Sequence, residues 1–356
     1  MSGKIRSLCR VFTPASGAGR ELFFSFEAEP GAYPDFDAEL AALWSAYEAE
    51  LAGRGLGCDE ELLLRFHLSD AANQGPKLRK LLADRPASIT DQPPAAGARI
   101  ALEAWHVAPR PHCRVVYSPR FAEGDSFTQM YGLFRQLAGE VTSRGGRLES
   151  NVLRTWIYCR DVDNNYAGVV RGRNVCFDEH GMRDRYLAST GIGGGADEPK
   201  QLVAMDALVR DGEAPEQTPL RALDHLSPTA LYGVRFERGM RVNWRDRDWF
   251  LVSGTASIDR EGRILYENDV RRQSSRVVEN ISALLEEGGA ILPQVCAATV
   301  YLRDPAELAP VREEFDAAFP GVPLVYLRAP VCRPGWLVEC ECLATVPADR
   351  PNAPAL

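Results

Sequence analysis

No run of 18 consecutive apolar residues occurs in this 356-residue chain, so the sequence signature of a membrane-spanning helix is missing. Basic residues are not in excess: Asp and Glu number 49 against 41 Lys and Arg, a net charge of −8. A surface that grips phosphate backbones needs clustered cations, and nucleic acid is therefore not an expected partner. None of the nine cysteines forms a CxxC pair and the five histidines are scattered, so zinc-ligand spacing is absent. The run Gly193-Gly-Gly195 lacks the Lys-Ser/Thr that follows in a phosphate-cradling loop. The opening Met-Ser-Gly-Lys-Ile-Arg-Ser-Leu-Cys lacks the apolar segment of a signal peptide. An odd cysteine count without framework spacing adds the expectation of reduced thiols in the cytoplasm and no bound metal.

What the chain has is repetition. Gln129, Gly145-Gly146, Asp161 and Phe177 are followed, 142 to 144 residues later, by Gln273, Gly288-Gly289, Asp304 and Phe319. Between the second and third landmarks lie Arg154-Thr-Trp-Ile-Tyr158-Cys-Arg-Asp161 and Ala298-Thr-Val-Tyr301-Leu-Arg-Asp304. A unit this long is a duplicated small domain, not a solenoid repeat. A fainter third copy runs upstream, from a helix-like stretch at 36–51 through Gly53, Gly55 and Gly57 to Leu62-Leu-Leu-Arg-Phe-His67-Leu-Ser-Asp70. Each copy closes on an apolar, acid-bearing segment: Ile100-Ala-Leu-Glu103, Leu202-Val-Ala-Met-Asp206 and Leu337-Val-Glu339-Cys-Glu341. The expected modules are 1–110, 111–220 and 221–356, with sheet-forming parts near 20–107, 113–210 and 231–347.

Within each clear copy the periodicity predicts strand, helix, strand, helix, strand. Phe127, Met130, Tyr131, Phe134, Leu137 and Val141 fall at helical spacing, as do Val270, Val277, Ile281 and Leu284. Asp125 or Ser126 and Asn268 or Asp269 are the candidate caps. Residues 152–158 and 297–302 are rich in β-branched and aromatic side chains, as strands are. Two helices on one face of a mixed sheet make an α+β sandwich. Segments 84–99, 191–200 and 211–219, rich in Pro, Gly or acids, read as loops.

At this point the chain resembles the RidA (YjgF, UK114) family. The resemblance rests on Gly288-Gly289, Val300-Tyr-Leu-Arg-Asp304, Phe315, Phe319 and Leu337-Val-Glu339-Cys-Glu341. It implies a chorismate-mutase-like α+β sandwich that assembles as a trimer with clefts between subunits and hydrolyses enamines and imines. The multi-module layout is similar to the chorismatases, through Arg154-Thr-Trp-Ile-Tyr158, Ala188-Ser189-Thr190-Gly191-Ile-Gly193, Phe236-Glu-Arg238, Ser253-Gly254-Thr255-Ala256-Ser257-Ile258 and Val331-Cys332-Arg333. The chain departs from that pattern where Asp259-Arg260-Glu261 replaces Val-Gly-His, and by lacking an Asn-Pro-Arg-Gln-like stretch ahead of Tyr232. It departs from the deaminase branch at Pro330, where that branch carries a carboxylate-binding Arg. Three like modules in one chain imply a monomer with an internal pseudo-trimer, or a homo-oligomer.

Glu339 is the candidate acid. Ala204 and Ala101 occupy the aligned places in the other copies, so one cleft in three would carry a carboxyl. Buried in apolar surroundings such a group has a raised pKa and serves as a general acid. At an exposed sheet edge it would simply face water. Cys332 is either a structural thiol or part of the chemistry, with Arg333 beside it able to lower the thiol pKa or hold a carboxylate. Arg154, Arg235 and Arg238 are candidate carboxylate forks. Ser189, Thr190, Gly254, Thr255 and Ala256, small residues beside predicted strands, allow backbone N–H groups to approach a ligand; Tyr232 completes the set. The implied reaction is acid-catalysed cleavage of the enol ether of chorismate or a related cyclic carboxylate, which requires neither metal nor cofactor. Imine deamination and metabolite binding without turnover are the alternatives.

Overall fold

The computed structural model describes residues 4–17, 19–118 and 121–356; the side chain of Tyr232 lies outside what is described. Three sheets follow one another along the chain. The first contains β1 (Ile5–Phe12), β2 (Arg20–Ala28), β3 (Glu61–Leu68), β4 (Ser88–Thr90) and β5 (Ile100–Ala108), with helices α1 (Phe36–Gly53) and α2 (Ala71–Leu82). The second contains β6 (Cys113–Tyr117), β7 (Val152–Cys159), β8 (Ala188–Gly193) and β9 (Val203–Arg210), with α3 (Ser126–Ser143), α4 (Leu148–Asn151) and α5 (Val162–Glu179). The third contains β10 (Glu216–Leu220), β11 (Gly239–Asn243), β12 (Arg247–Ala256), β13 (Val295–Leu302), β14 (Leu324–Arg328) and β15 (Val338–Pro347), with α6 (Val270–Gly288) and α7 (Leu308–Ala318).

The sheets share one topology. Four strands run β2-β5-β3-β4, β6-β9-β7-β8 and β12-β15-β13-β14, and in each set the last pair alone is parallel. β1 extends the first sheet, and β10 and β11 extend the third. Even the irregularity repeats: the register slips at the start of each second strand, between Glu61 and Leu63, Val152 and Arg154, and Val295 and Ala297. His67, Tyr158 and Tyr301 then face Ala101, Ala204 and Glu339 on the closing strands.

Local chemistry explains the landmarks. Asp35, Asp125 and Asp269 cap α1, α3 and α6 by accepting a backbone N–H three residues on. Gly289 ends α6 at φ +91°, a left-handed turn that a side chain would strain. Gln129 and Gln273 repeat because each fastens its helix to the start of a closing strand: Gln129 Oε1 accepts from Leu202 N and Val203 N, and Gln273 Oε1 from Leu337 N. Glu39 does this in the first module, accepting from Arg99 N and Ile100 N.

Three segments depart from the loop expectation. Residues 188–193 form β8 because they pair in parallel with β7, so the glycines at 191 and 193 lie within a strand. Glu216–Leu220 is edge strand β10, where Pro219 is tolerated as edges tolerate proline. The stretch 84–99 contains β4, then crosses to the third sheet, where Arg328 N donates to the Pro93 carbonyl and Ala95 N to that of Tyr326. No helix among the described residues is long and apolar enough to cross a membrane.

The three modules meet in a buried polar centre. Glu103, Asp206 and Glu341 hold the same register position on the three closing strands, opposite Arg65, Trp156 and Thr299. All three carboxylates converge on Arg65, at 3.4, 3.7 and 3.9 Å. Such convergence requires the modules to surround a common axis. Arg154 pairs with Glu341 at 2.9 Å, the Trp156 indole N–H donates to Glu341, His67 pairs with Glu103 and the Tyr158 hydroxyl donates to Asp206. Burial raises the Glu103 carboxyl, but His67, Arg65 and Thr299 outweigh it and hold the group at about 2. Asp206 stays above its usual range because burial outweighs Arg65 there.

Candidate functional site

Edge strand β8 of the middle module lies against β12 of the last. Gly254 N donates to Thr190 Oγ1 and Ser189 N to Ser253 Oγ, both at 2.9 Å. At this contact β12 slips register against β15 between Val252 and Thr255, a bulge of the kind found beside active sites. The loop after β14 is tied to the same edge by the Gly193 N–H to Pro330 carbonyl bond and the Ile192–Val331 bridge. Between these elements opens a cleft lined by Glu339, Cys332, Arg333, Arg238, Ser189, Gly254 and Ala256 from the expected set.

Glu339 is 5% exposed, and its carboxyl makes no hydrogen bond among the described residues. Burial, reinforced by the charge of Glu341 and opposed by Arg238, raises its pKa to about 8. It is therefore a neutral acid at pH 7, available as a proton donor. Its room comes from the missing side chain at 254: a Cβ there would stand 2.1 Å from Glu339 Oε1 and 2.8 Å from Cδ. Gly254→Ala must turn the carboxyl away. A misplacement of about 1 Å costs on the order of 10²-fold, and we expect a loss of that size in kcat/KM with the circular-dichroism spectrum unchanged.

Burial, with Glu339 adding to it, pushes the Cys332 thiol up to about 12 despite Arg333 nearby, so it is not a thiolate at neutral pH. Arg238 is 5% exposed; burial lowers its pKa to about 10, and Nε and Nη2 donate to the Ser227 carbonyl. Arg154 does not line the cleft. Its guanidinium is buried behind it, on Glu341, the Val252 carbonyl and Thr190 Oγ1. Thr190 buttresses Gly254 from outside the lining, and the Thr255 hydroxyl turns away to the Ser253 carbonyl. Arg235 pairs with Asp178 outside the cleft.

Two lining residues outside the expected set come from α5, the helix that carries Phe177. Tyr166 and Arg173 project from α5 beside Cys332. Arg173 is 3% exposed, yet its Nε and Nη2 find no hydrogen-bond partner among the described residues. Burial, the largest influence, lowers its pKa, and the nearby Arg235 charge adds to this. The signal was available: Val162, Tyr166, Val169, Arg173 and Phe177 share the inward stripe of α5. An arginine on that stripe needs a partner.

A narrow cleft between repeated α+β modules, with an acid from one wall and cations from both, defines a multi-module protein resembling the RidA superfamily. Residues 235–346 match the family model described as Endoribonuclease L-PSP. Over 72 residues, 20% of this chain, the sequence is 39% identical to a RutC family protein of Pyrococcus abyssi. Over 216 residues, 54% of this chain, it is 29% identical to a 3-hydroxybenzoate synthase of Streptomyces hygroscopicus. These matches span 57% and 63% of the two relatives' lengths. The whole layout resembles a chorismatase: a crystal structure of one superposes with a TM-score of 0.63 at 19% identity, covering 96% of this chain and 100% of that one.

Proposed function

We propose that the Glu339 cleft cleaves the enol ether of chorismate or a closely related cyclic carboxylate and releases pyruvate. The observation that carries this reading is a buried, neutral carboxyl without a hydrogen-bond partner among the described residues, facing a cleft lined by a buried arginine whose Nε and Nη2 also have none there. An enol ether is protonated at its methylene carbon. Glu339 gives up its proton there and the ether oxygen stabilises the resulting oxocarbenium ion. Glu339 becomes a carboxylate at the moment a cation forms beside it, which favours the transition state electrostatically. Capture by water gives a hemiketal that collapses to pyruvate and the ring alcohol. Net loss of the neighbouring ring hydroxyl with a ring C–H hydrogen would instead give pyruvate and 3-hydroxybenzoate, with no net water consumed. The second product is the one in the name of the Streptomyces relative.

Arg173 from the middle module and Arg238 with Arg333 from the last are the carboxylate-binding cations of this proposal, and Cys332 with Tyr166 forms a neutral wall for the ring. The cavity measures about 50 Å³, room for roughly four waters, so ring binding requires the half-exposed loop around Arg333 to yield. Each sheet with its helices is one module under this proposal, divided near 110 and 220, and the three together replace a trimer in a monomeric chain.

Arg173→Met should raise the Kd for a carboxylate ligand roughly 10- to 100-fold, the loss of a charged hydrogen bond. It should leave the melting temperature unchanged or higher, since an unpaired buried charge is removed. Calorimetric titration and a thermal melt check both. The reaction itself is tested by incubation with chorismate, with pyruvate quantified enzymatically and the ring product weighed by mass spectrometry. Pyruvate in equimolar amount with a hydroxybenzoate or a dihydroxycyclohexadiene carboxylate supports the reading. Bound but unconsumed chorismate supports metabolite binding instead.

A further inference from the structure

The cleft between the first and middle modules is the counterpart, about the common axis, of the cleft that holds Glu339. Ala204 faces Tyr158 as Glu339 faces Tyr301, so the acid is replaced by a methyl group. The cavity in front of it measures about 420 Å³, against about 50 Å³ for the Glu339 cleft on the same measure. It is not an apolar void. Arg114 lines it, held by Asp211 through Nε and by Glu140 through Nη1, while its buried Nη2 has no acceptor among the described residues. The Tyr117 hydroxyl accepts from Leu64 N and Ser118 Oγ accepts from Met205 N. Neither hydroxyl proton has an acceptor among the described residues. Arg85 stands at the wall, oriented by Glu61, and Asp206 forms the floor.

The wall also carries Arg79 on Asp197, and Glu140 beside Arg114, so a large cavity of arginines, carboxylates and two hydroxyl donors is matched by a ligand that brings both acceptors and donors. We propose that this cleft is a second, non-catalytic binding site for a small hydroxylated carboxylate. The carboxylate sits against Arg114 and Arg85, and the ring hydroxyls bond to Tyr117, Ser118 and Asp206. Ala204 supplies the space that the acid occupies in the other cleft, so no carboxyl stands at that position to protonate a ligand.

The test is calorimetric titration of the full chain with 3-hydroxybenzoate and with 3,4-dihydroxybenzoate. Two ligand equivalents per chain are expected for at least one of them. Ala204→Leu projects into the cavity where the acid stands in the other cleft and should abolish one equivalent while leaving the other at its original Kd. Arg173→Met should weaken that other equivalent alone. Should Ala204→Leu prove unfolded by circular dichroism, Arg114→Gln serves in its place, with an expected tenfold or greater weakening of one equivalent. Binding that the folded Ala204→Leu and Arg114→Gln variants leave undiminished overturns the proposal, as does no binding by the unmodified chain; a single equivalent lost in Ala204→Leu and kept in Arg173→Met supports it. Because binding is read without turnover, the result stands apart from whether chorismate is consumed.

Discussion

Glu339→Gln is expected to lower turnover of the enol ether by 10²–10⁴-fold, the typical worth of a positioned general acid, while the Kd of the substrate changes little. The amide keeps the size of the carboxyl and fits the same space over Gly254, but it has no acidic proton to deliver. At 1.4 kcal/mol per tenfold the loss corresponds to about 3–5 kcal/mol of transition-state stabilisation. Single-turnover kinetics beside equilibrium titration separates the two quantities. A variant that binds tenfold more weakly but turns over at the original rate would assign Glu339 to binding and remove it from the chemistry.

Arg65→Met is expected to have the largest effect on stability. Arg65 is 1% exposed, stacks on the Trp156 ring at 4.5 Å and faces Glu103, Asp206 and Glu341. Without it, His67 still pairs with Glu103 and Arg154 with Glu341, but Asp206 loses its cation. Removing one partner of a buried ion network costs about 3–5 kcal/mol, a large part of the 5–15 kcal/mol that holds a typical domain folded. The sign of the pH dependence follows from Asp206. Burial already raises its pKa and Arg65 opposes that rise, so the variant raises it further. A carboxyl with a raised folded pKa binds more protons in the folded state, and its stability contribution is lost as pH increases toward that pKa. The deficit should therefore shrink as pH falls toward the ordinary range of an aspartate. Urea titration of both proteins at several pH values measures it.

The sequence showed its repeats because repetition is written in residue types: Asp at helix starts, Gln where a helix fastens to a closing strand, Gly where a helix ends. The first module was fainter because Glu39 does there what Gln129 and Gln273 do elsewhere, the same backbone contact through a different side chain. The alignment of Glu339 with Ala204 and Ala101 was legible from spacing, and the strand register has the same correspondence. Arg154 illustrates what spacing does not contain. It opens one of the motifs that carried the resemblance, Arg154-Thr-Trp-Ile-Tyr158, yet on β7 its side chain turns inward to Glu341. Which face a strand residue takes depends on the slip between Val152 and Arg154, and a one-residue slip reverses the face. The inward place of Arg173 was legible from the stripe of α5, but the cleft it lines was not: that cleft is shared with a different module, and contact between modules leaves no local pattern in either.

The pH dependence of kcat/KM for pyruvate release from chorismate, measured from pH 6 to 10, tests most directly that a buried, protonated Glu339 is the working acid. With its pKa raised to about 8 by burial, the group is protonated below that pH and ionised above it. The rate constant should hold its plateau at neutral pH and fall tenfold per unit above about pH 8. Glu339→Gln should remove that limb along with most of the activity. A profile that is flat to pH 10, or one that already falls through the ordinary carboxylate range near pH 4.5 when extended to acid, would contradict it.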